Sequence, residues 1–211
     1  MFRIVPMTLE TAADVAWIDE INFPDFPGEG IPASVFEQRI AIFPDGQLVA
    51  LSVEDDNEPK VIGFTTTYRI DRLIDDQSGY YLEHTDHRWV DHHVPNGAWL
   101  YGVTMAVLPD YRGQGIGRML YQARAALAAR LNMRGEMITG LMPGYQPHQK
   151  SLTAQQYADK VVAGERYDPT MSMQLRNGFM LSRLLKDYVR DPRSDGWCTL
   201  MLRHNPNYDV L

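Results

Sequence analysis

The spacing of apolar residues along the chain predicts a mixture of short strands and helices. Runs rich in β-branched residues and of strand length predict seven strands; they span residues 2–5, 47–53, 61–70, 98–108, 137–141, 180–188 and 197–204. Apolar residues that recur every three or four positions predict helices; these span residues 9–18, 34–42, 114–131 and 151–164, with a short helical turn before Asn177. Strands and helices that do not alternate strictly are typical of a mixed α/β or α+β fold built around one sheet.

Residues 71–97 do not continue this pattern. They are rich in His, Asp, Gly and Tyr, and their apolar residues recur neither at the spacing of a strand nor at that of a helix. We therefore expect a loop insertion at about 71–97 within a single domain that spans residues 1–211. The chain shows no internal repeat, no low-complexity tract and no linker that would divide it.

Composition narrows the class of protein. The 211 residues are 45% hydrophobic and 22% charged, which is enough apolar material for a core and argues against intrinsic disorder. The formal net charge of −7 argues against nucleic acid as a partner, since phosphate binding needs a basic face. No apolar stretch is long enough to span a membrane, and the N-terminus lacks the apolar region of a secretory signal. We therefore expect a cytoplasmic protein with no membrane partner.

A glycine-rich segment between the strand at 98–108 and the helix at 114–131 is the strongest candidate for chemistry. Gly113, Gly115 and Gly117 remove side chains from the start of that helix, where free backbone N–H groups point outward. Arg112 adds a permanent positive charge beside them. A bare helix N-terminus next to a guanidinium predicts a site for phosphate or pyrophosphate.

Two common phosphate motifs do not match this segment. The dinucleotide fingerprint needs Gly-x-Gly-x-x-Gly, whereas the third glycine here follows one residue too early, at Gly117. A P-loop needs Lys and then Ser or Thr after its last glycine, and Arg118 and Met119 stand there instead.

The segment resembles the acyl-CoA-binding signature of the GNAT superfamily of N-acyltransferases. That signature is Gln/Arg-x-x-Gly-x-Gly/Ala after a strand that ends in Val-x-Pro; Arg112 to Gly117 after Val107-Leu108-Pro109 match it, and Asn177-Gly178-Phe179 stand at the expected later position. Further segments resemble the GNAT-type domains found fused to bacterial carbon–nitrogen hydrolases; they are 95–97, 100–102, 142–145 and 167–179. The resemblance implies a central mixed, mostly antiparallel sheet flanked by helices.

The resemblance also implies an enzyme that moves an acetyl group directly from acetyl-CoA, as co-substrate, to an amine, without a metal. The residues that it places around the coenzyme are Met105, Ala106, Val107, Arg112, Gly113, Gln114, Gly115, Ile116, Gly117, Arg118 and Gln174. A backbone N–H near Met105 to Val107 would polarise the thioester carbonyl as an oxyanion donor. The acceptor would be a small-molecule or peptide amine, and a homodimer is one option for the assembly.

The usual acid and base of the family do not have matching residues here. Many members carry a Glu near the start of the central strand, where this chain has Trp99 to Tyr101. Many carry a Tyr four residues before the Gly-Phe pair, where this chain has Gln174. Tyr145 and Tyr101 are the candidate catalytic residues by type and neighbourhood. The alternative is a non-catalytic acyl-CoA-binding or regulatory module.

Two other features point more weakly to chemistry. The segment 83–93 contains His and Asp residues but lacks the i, i+4 histidine pair of a helical zinc site, so a solvated loop is the simpler interpretation. The single cysteine, Cys198, lies in a predicted buried strand, where a thiol behaves as a small apolar group.

Overall fold

The computed structural model describes residues 1–23, 31–53, 58–74, 92–188 and 191–209. Among these residues the strands are β1 Phe2–Pro6, β2 Gln47–Ser52, β3 Lys60–Ile70, β4 Trp99–Val107, β5 Gly135–Leu141, β6 Met180–Lys186 and β7 Trp197–His204. The helices are α1 Ala12–Asn22, α2 Ala33–Ile42, α3 Ile116–Arg130, α4 Ala154–Val162 and α5 Met171–Arg176. Short 3₁₀ turns connect several of them, including Pro109–Tyr111 before α3 and Pro143–His148 after β5.

The described strands form one sheet in the order β1-β2-β3-β4-β5-β7-β6. Every neighbouring pair in it is antiparallel except β4 and β5, which run parallel. The expected central mixed, mostly antiparallel sheet flanked by helices is therefore confirmed.

The parallel pair at the centre of the sheet is short. Strands β4 and β5, both wholly described, pair from Trp99 with Gly135 to Gly102 with Ile138 and no further. Strand β4 nevertheless continues to Val107 and β5 to Leu141. A register shift against β3 leaves Val103 as an extra residue at the point where the pairing stops, and such a bulge bends a strand. The two strands thus separate into a split that opens toward their carboxyl ends.

Helix α3 is held against the paired part of these strands by a buried ion cluster. Arg124 of α3 places its Nε 3.0 Å from the Oε2 of Glu136 on β5, and Arg203 of β7 contacts the other carboxylate oxygen. The guanidinium of Arg124 lies over Gly102, where a Cβ atom would overlap with it. A glycine on β4 is therefore needed to admit the cluster, and the cluster fixes α3 across β4 and β5.

The predicted elements agree with the observed ones to within a few residues at each end. The helix expected at 9–18 is the largest difference, since residues Leu9–Thr11 form a 3₁₀ turn and α1 runs on to Asn22. Thr11 closes that turn by accepting from the backbone N–H of Thr8 at 3.0 Å. Most of the insertion expected at 71–97 falls on residues 75–91, which lie outside the described residues.

Candidate active site

The start of α3 is an open group of backbone donors. The helix begins at Ile116 after Gly115, which has a φ of +86°, and Gly113 has a φ of +76°. Both positions favour glycine, because this left-handed region strains other residues. No side chain caps the helix and its first turn holds no acidic residue. The N–H groups and the positive end of the helix dipole are therefore available to an anion.

The space in front of these donors is also open. A Cβ atom built on Gly113, Gly115 or Gly117 would meet no atom within 4 Å. The glycines thus clear a surface rather than relieve a clash within the protein. This is the arrangement that a phosphate group needs in order to approach the backbone closely.

Arg112 lies exposed beside this surface and is held by two acceptors. Its Nε donates to the carbonyl oxygen of Val107 at 3.2 Å, and its Nη2 donates to the side-chain oxygen of Asn22 at the end of α1. Gln114 donates to the carbonyl oxygen of Asp110 at 3.2 Å, which braces the glycine-rich loop against the turn before it. Arg118 is exposed in the first turn of α3, so two cations flank the helix start.

The β4 edge of the split presents backbone groups at alternate residues. The N–H of Leu108 donates to the carbonyl of Ile62 at 2.9 Å, so residues 106 and 108 are the ones whose backbone groups point toward β3. The backbone groups of Met105 and Val107 then point away from β3, into the split, while those of Ala106 pair with β3. The N–H of Met105 and that of Val107 are accordingly the donors that a ligand in the split could reach.

The split and the start of α3 follow one another directly along the chain. Strand β4 ends at Val107, and only the turn Pro109–Tyr111 and the glycine-rich loop separate it from α3. An elongated ligand can therefore pair along β4 and place a phosphate at the α3 N-terminus. Acyl-CoA has this form, since its amide-containing pantetheine arm ends in a pyrophosphate, and the residues present fit it.

Tyr101 lies at the closed end of the split. Its phenol oxygen is 3.0 Å from the Oγ1 of Thr139 on β5 and 3.3 Å from the phenol oxygen of Tyr188. Tyr101 and Tyr188 are buried, at 0% and 3% exposure, whereas Thr139 is partly exposed. Three hydroxyl groups from β4, β5 and the segment after β6 thus form a chain that reaches the surface at Thr139.

Tyr145 lies elsewhere, in the 3₁₀ turn after β5. Its hydroxyl donates to the carbonyl oxygen of Leu152 at 2.9 Å, and its ring packs against Tyr157. Burial, with a smaller contribution from the charge of Asp195, raises the pKa of this phenol. The structure does not bring Tyr145 and Tyr101 into one hydrogen-bonded group.

Gln174 of α5 is buried against β5, at 4% exposure. Its side-chain amide lies 2.6 to 2.7 Å from where a Cβ of Gly140 would stand, so Gly140 admits it. On its other side it contacts the phenol of Tyr121 of α3, a group whose pKa burial raises. Gln174 therefore joins α3, α5 and β5 next to the split, and its Oε1 has no hydrogen-bond partner among the described residues.

Sequence reasoning did not single out Thr139, Tyr188 or Asn22. Thr139 carries no local signal, because a threonine within a strand of apolar residues is ordinary. Its importance depends on two long-range contacts: Tyr101 lies 38 residues before Thr139 in the chain and 87 residues before Tyr188. Asn22 ends a helix and meets Arg112 across 90 positions.

No group of three or more His, Cys, Asp or Glu side chains in the part of the chain that the structure describes could hold a metal ion. The histidines at 84 and 87 lie outside the described residues. None of the described helices has the length and apolar character to cross a membrane.

Comparison with known families agrees with this geometry. The model of the acetyltransferase (GNAT) family matches residues 15–142, which include most of α1, the split strand β4 and the glycine-rich loop before α3. The chain therefore belongs to the acetyltransferase (GNAT) family.

Among relatives, the chain is 35% identical over 197 residues to the probable hydrolase YhcX of Bacillus subtilis, covering 92% of this chain and 37% of that protein. It thus spans little more than a third of that relative's length. It is 29% identical over 186 residues to the uncharacterized N-acetyltransferase YkwB of the same organism, covering 88% of this chain and 80% of YkwB.

Among solved structures, the GphF GNAT-like decarboxylase in complex with isobutyryl-CoA matches with a TM-score of 0.73 at 19% identity. The match covers 96% of this chain and 99% of that one. At this identity the likeness shows that the fold is shared.

Proposed function

We propose that this protein transfers an acetyl group from acetyl-CoA directly to the nitrogen of an amine. The observation that carries the proposal is the short connection between the β4 edge of the split and the uncapped start of α3. A phosphate site alone would suit many ligands. A phosphate site joined to a strand edge with free N–H groups suits a ligand that has both a pyrophosphate and an amide-bearing arm.

In this proposal the donor substrate lies along Met105 and Val107, with its pyrophosphate at Gly113 to Gly117 and near Arg112. The N–H of Met105 lies nearer the closed end of the split than that of Val107, so it is the donor that would polarise the thioester carbonyl. A backbone donor that is fixed before the reaction begins costs little reorganisation when negative charge develops on the carbonyl oxygen. Holding the amine nitrogen close to the thioester carbon, in the right orientation, lowers the activation barrier further.

The acceptor is proposed to be a small-molecule or peptide amine. The net charge of −7 favours cationic amines through long-range attraction. The attacking nitrogen must lose its proton before attack, so turnover should rise with pH through the pKa of the amine.

Two experiments test the proposal. Isothermal titration with CoA measures binding, and release of free thiol from acetyl-CoA over a panel of polyamines, amino acids and peptides measures transfer. Hydroxylamine serves as a small acceptor whose nitrogen is mostly neutral at pH 7. Thiol release that depends on the amine, with the acetylated amine identified by mass spectrometry, is the expected result.

Each other outcome has a defined meaning. CoA binding without transfer to any amine would favour the non-catalytic acyl-CoA-binding module. Conversion of malonyl-CoA to acetyl-CoA in the absence of amine would favour decarboxylation, the chemistry in the name of the structural neighbour GphF. Absence of CoA binding would overturn the site itself.

Gly117→Glu is the variant that locates the donor substrate. A Cβ at this position meets no protein atom within 4 Å, so the variant should fold, and its carboxylate would stand where a phosphate is expected. We expect CoA affinity to fall by at least about 100-fold, or ~2.7 kcal/mol. Ala126→Glu is the matched control, because Ala126 is exposed on the same helix about 13 Å further along. Equal affinity in both variants would contradict the placement.

A further inference from the structure

The hydroxyl chain of Tyr188, Tyr101 and Thr139 has an end at the split. Three hydroxyl groups offer three donors, and the two bonds within the chain use two of them. If donation runs from Tyr188 to Tyr101 to Thr139, the hydroxyl proton of Thr139 remains free to be donated to a group other than these three hydroxyls. The two tyrosines are buried and cannot turn toward solvent, so Thr139 is the member that meets a ligand.

The position of Thr139 follows from the strand register. Ile138 forms the last β4–β5 pair with Gly102, and Thr139 is the next residue, about 3.3 Å further along β5. Its side chain lies on the face of Tyr101, opposite to the face on which Gly102 meets Arg124 of α3. On the β4 side of the split, the first backbone donor is Met105, two residues after the bulge at Val103. Thr139 and the N–H of Met105 thus flank the closed end of the split from its two strands.

Building on the proposed function, we infer that the hydroxyl of Thr139 carries the proton from the attacking amine to the leaving sulfur. Attack of the neutral amine forms the C–N bond and gives a tetrahedral intermediate that bears an oxyanion, an ammonium and a thioether sulfur. The oxyanion, held by the N–H of Met105, then re-forms the carbonyl and expels the sulfur. Thr139 gives its own proton to the sulfur as the C–S bond breaks, and it takes one from the nitrogen. The products are the amide and the CoA thiol, and Thr139 is unchanged.

This relay explains how the site could work without the Glu and Tyr that many family members use. A neutral hydroxyl that gains and loses a proton together never has to become charged, so its own high pKa is no barrier. Tyr101 and Tyr188 act as positioning residues: the phenol of Tyr101 is hydrogen-bonded to the hydroxyl of Thr139 and to the phenol of Tyr188. In the relay, Tyr101 is the donor to Thr139. Each bond in such a chain polarises the next one.

Thr139→Val tests the relay, because valine keeps the shape of threonine and removes the hydroxyl. With acetyl-CoA and hydroxylamine as probes, we expect kcat to fall by about 100-fold while the KM for acetyl-CoA and the Kd for CoA stay unchanged. Thr139→Ser should restore kcat to within about fivefold. Imidazole buffer, as an external proton carrier, should accelerate Thr139→Val and not the wild type. Tyr101→Phe should lower kcat by about tenfold, with the same KM.

Thr67→Val is the matched control, since Thr67 is also a buried strand threonine, with its hydroxyl donated to the carbonyl of Gly46. It should lose comparable stability and keep its kcat. A second readout needs no acceptor: the ultraviolet absorbance of the CoA thiolate should show a higher thiol pKa when CoA is bound to Thr139→Val than to wild type.

The outcomes separate the two proposals. A wild type that transfers acetyl groups and a Thr139→Val variant that does so equally well would overturn the relay and leave the proposed function intact. A Thr139→Ser variant as slow as Thr139→Val would assign Thr139 a packing role and also overturn the relay. A wild type that binds CoA and transfers to no amine would overturn the proposed function, and an unchanged thiol pKa would then reject the contact with sulfur.

Discussion

Arg112 donates to the side chain of Asn22, and this bond joins the glycine-rich loop before α3 to the end of α1. In the proposed function, the same guanidinium meets the pyrophosphate of acyl-CoA. Asn22 also donates to the carbonyl of Ile18 at 2.8 Å, so its own position is fixed by its helix. Under that proposal, the donor substrate and the end of α1 would compete for one side chain.

Asn22→Asp tests this competition. A carboxylate would hold Arg112 in a charge-assisted bond, roughly twice as strong as a neutral one, and would repel phosphate. We expect the Kd for CoA to rise about tenfold, which corresponds to ~1.4 kcal/mol, in isothermal titration at low salt. Ala13→Asp adds the same charge at an exposed position at the other end of α1 and serves as the control. An unchanged Kd in Asn22→Asp would show that Arg112 does not take part in phosphate binding.

Gly102→Ala should disrupt the attachment of α3 to the sheet. The added methyl group overlaps with the guanidinium of Arg124, which is buried against Glu136 and cannot move into solvent. We expect a loss of about 3 kcal/mol in the free energy of unfolding, the upper end for overpacked cores. Urea denaturation measures it. Gly117→Ala is the comparison, because its Cβ meets no atom and alanine favours a helix, so this variant should be equally or more stable.

Asp19 should make the stability of the protein depend on pH. Burial raises the pKa of this α1 carboxyl from 3.8 to about 6, although the N–H of Ile31 and the charge of Arg39 act in the opposite direction. The folded state therefore favours the protonated form. The protonated carboxyl therefore adds to the free energy of unfolding. This stabilisation is fully present below pH 3.8 and is lost as the pH rises through 6.

Asp19→Asn removes that dependence. Between pH 4 and pH 8, the stability of wild type relative to Asp19→Asn should fall by about 2 kcal/mol. Urea unfolding of both proteins across this range, with equal m-values, measures the difference. Two parallel stability curves would show that the carboxyl of Asp19 titrates normally in the folded protein.

Tyr145→Phe should have little effect on catalysis. The phenol proton of Tyr145 is donated to Leu152, so it is not directed at a ligand. We expect kcat to fall by less than about tenfold, or ~1.4 kcal/mol, at constant KM. Steady-state kinetics with acetyl-CoA and hydroxylamine decide the matter. A fall of about 100-fold or more in kcat alone would identify Tyr145 as the acid for the thiolate and would make the Thr139 relay unnecessary.

The open, glycine-rich start of α3 could be predicted from the sequence because its parts are local. Gly113, Gly115 and Gly117 stand within five residues, and each has a direct conformational or steric meaning at a helix start. The order of strands and helices could be predicted for the same reason, since periodicity is read within a short window.

The closed end of the split could not be predicted in this way. Thr139 becomes notable only when β5 lies beside β4, and Tyr188 only when the chain after β6 reaches Tyr101. The place where β4 and β5 separate is likewise set by the bulge at Val103, which is a property of the register with β3. Side chains that meet through a sheet carry no pattern along the chain.

The shortness of the β4–β5 pairing also has a consequence for local unfolding. Four residue pairs join the half-sheet β1 to β4 to the half-sheet of β5, β7 and β6, so the two halves share few backbone hydrogen bonds. Regions of this kind open more readily than the rest of a core and exchange their amide hydrogens faster. A ligand that pairs with Met105 and Val107 while resting on β5 would join the halves, and the amides flanking the split would then exchange more slowly. The donor substrate would in this sense complete the sheet that encloses it.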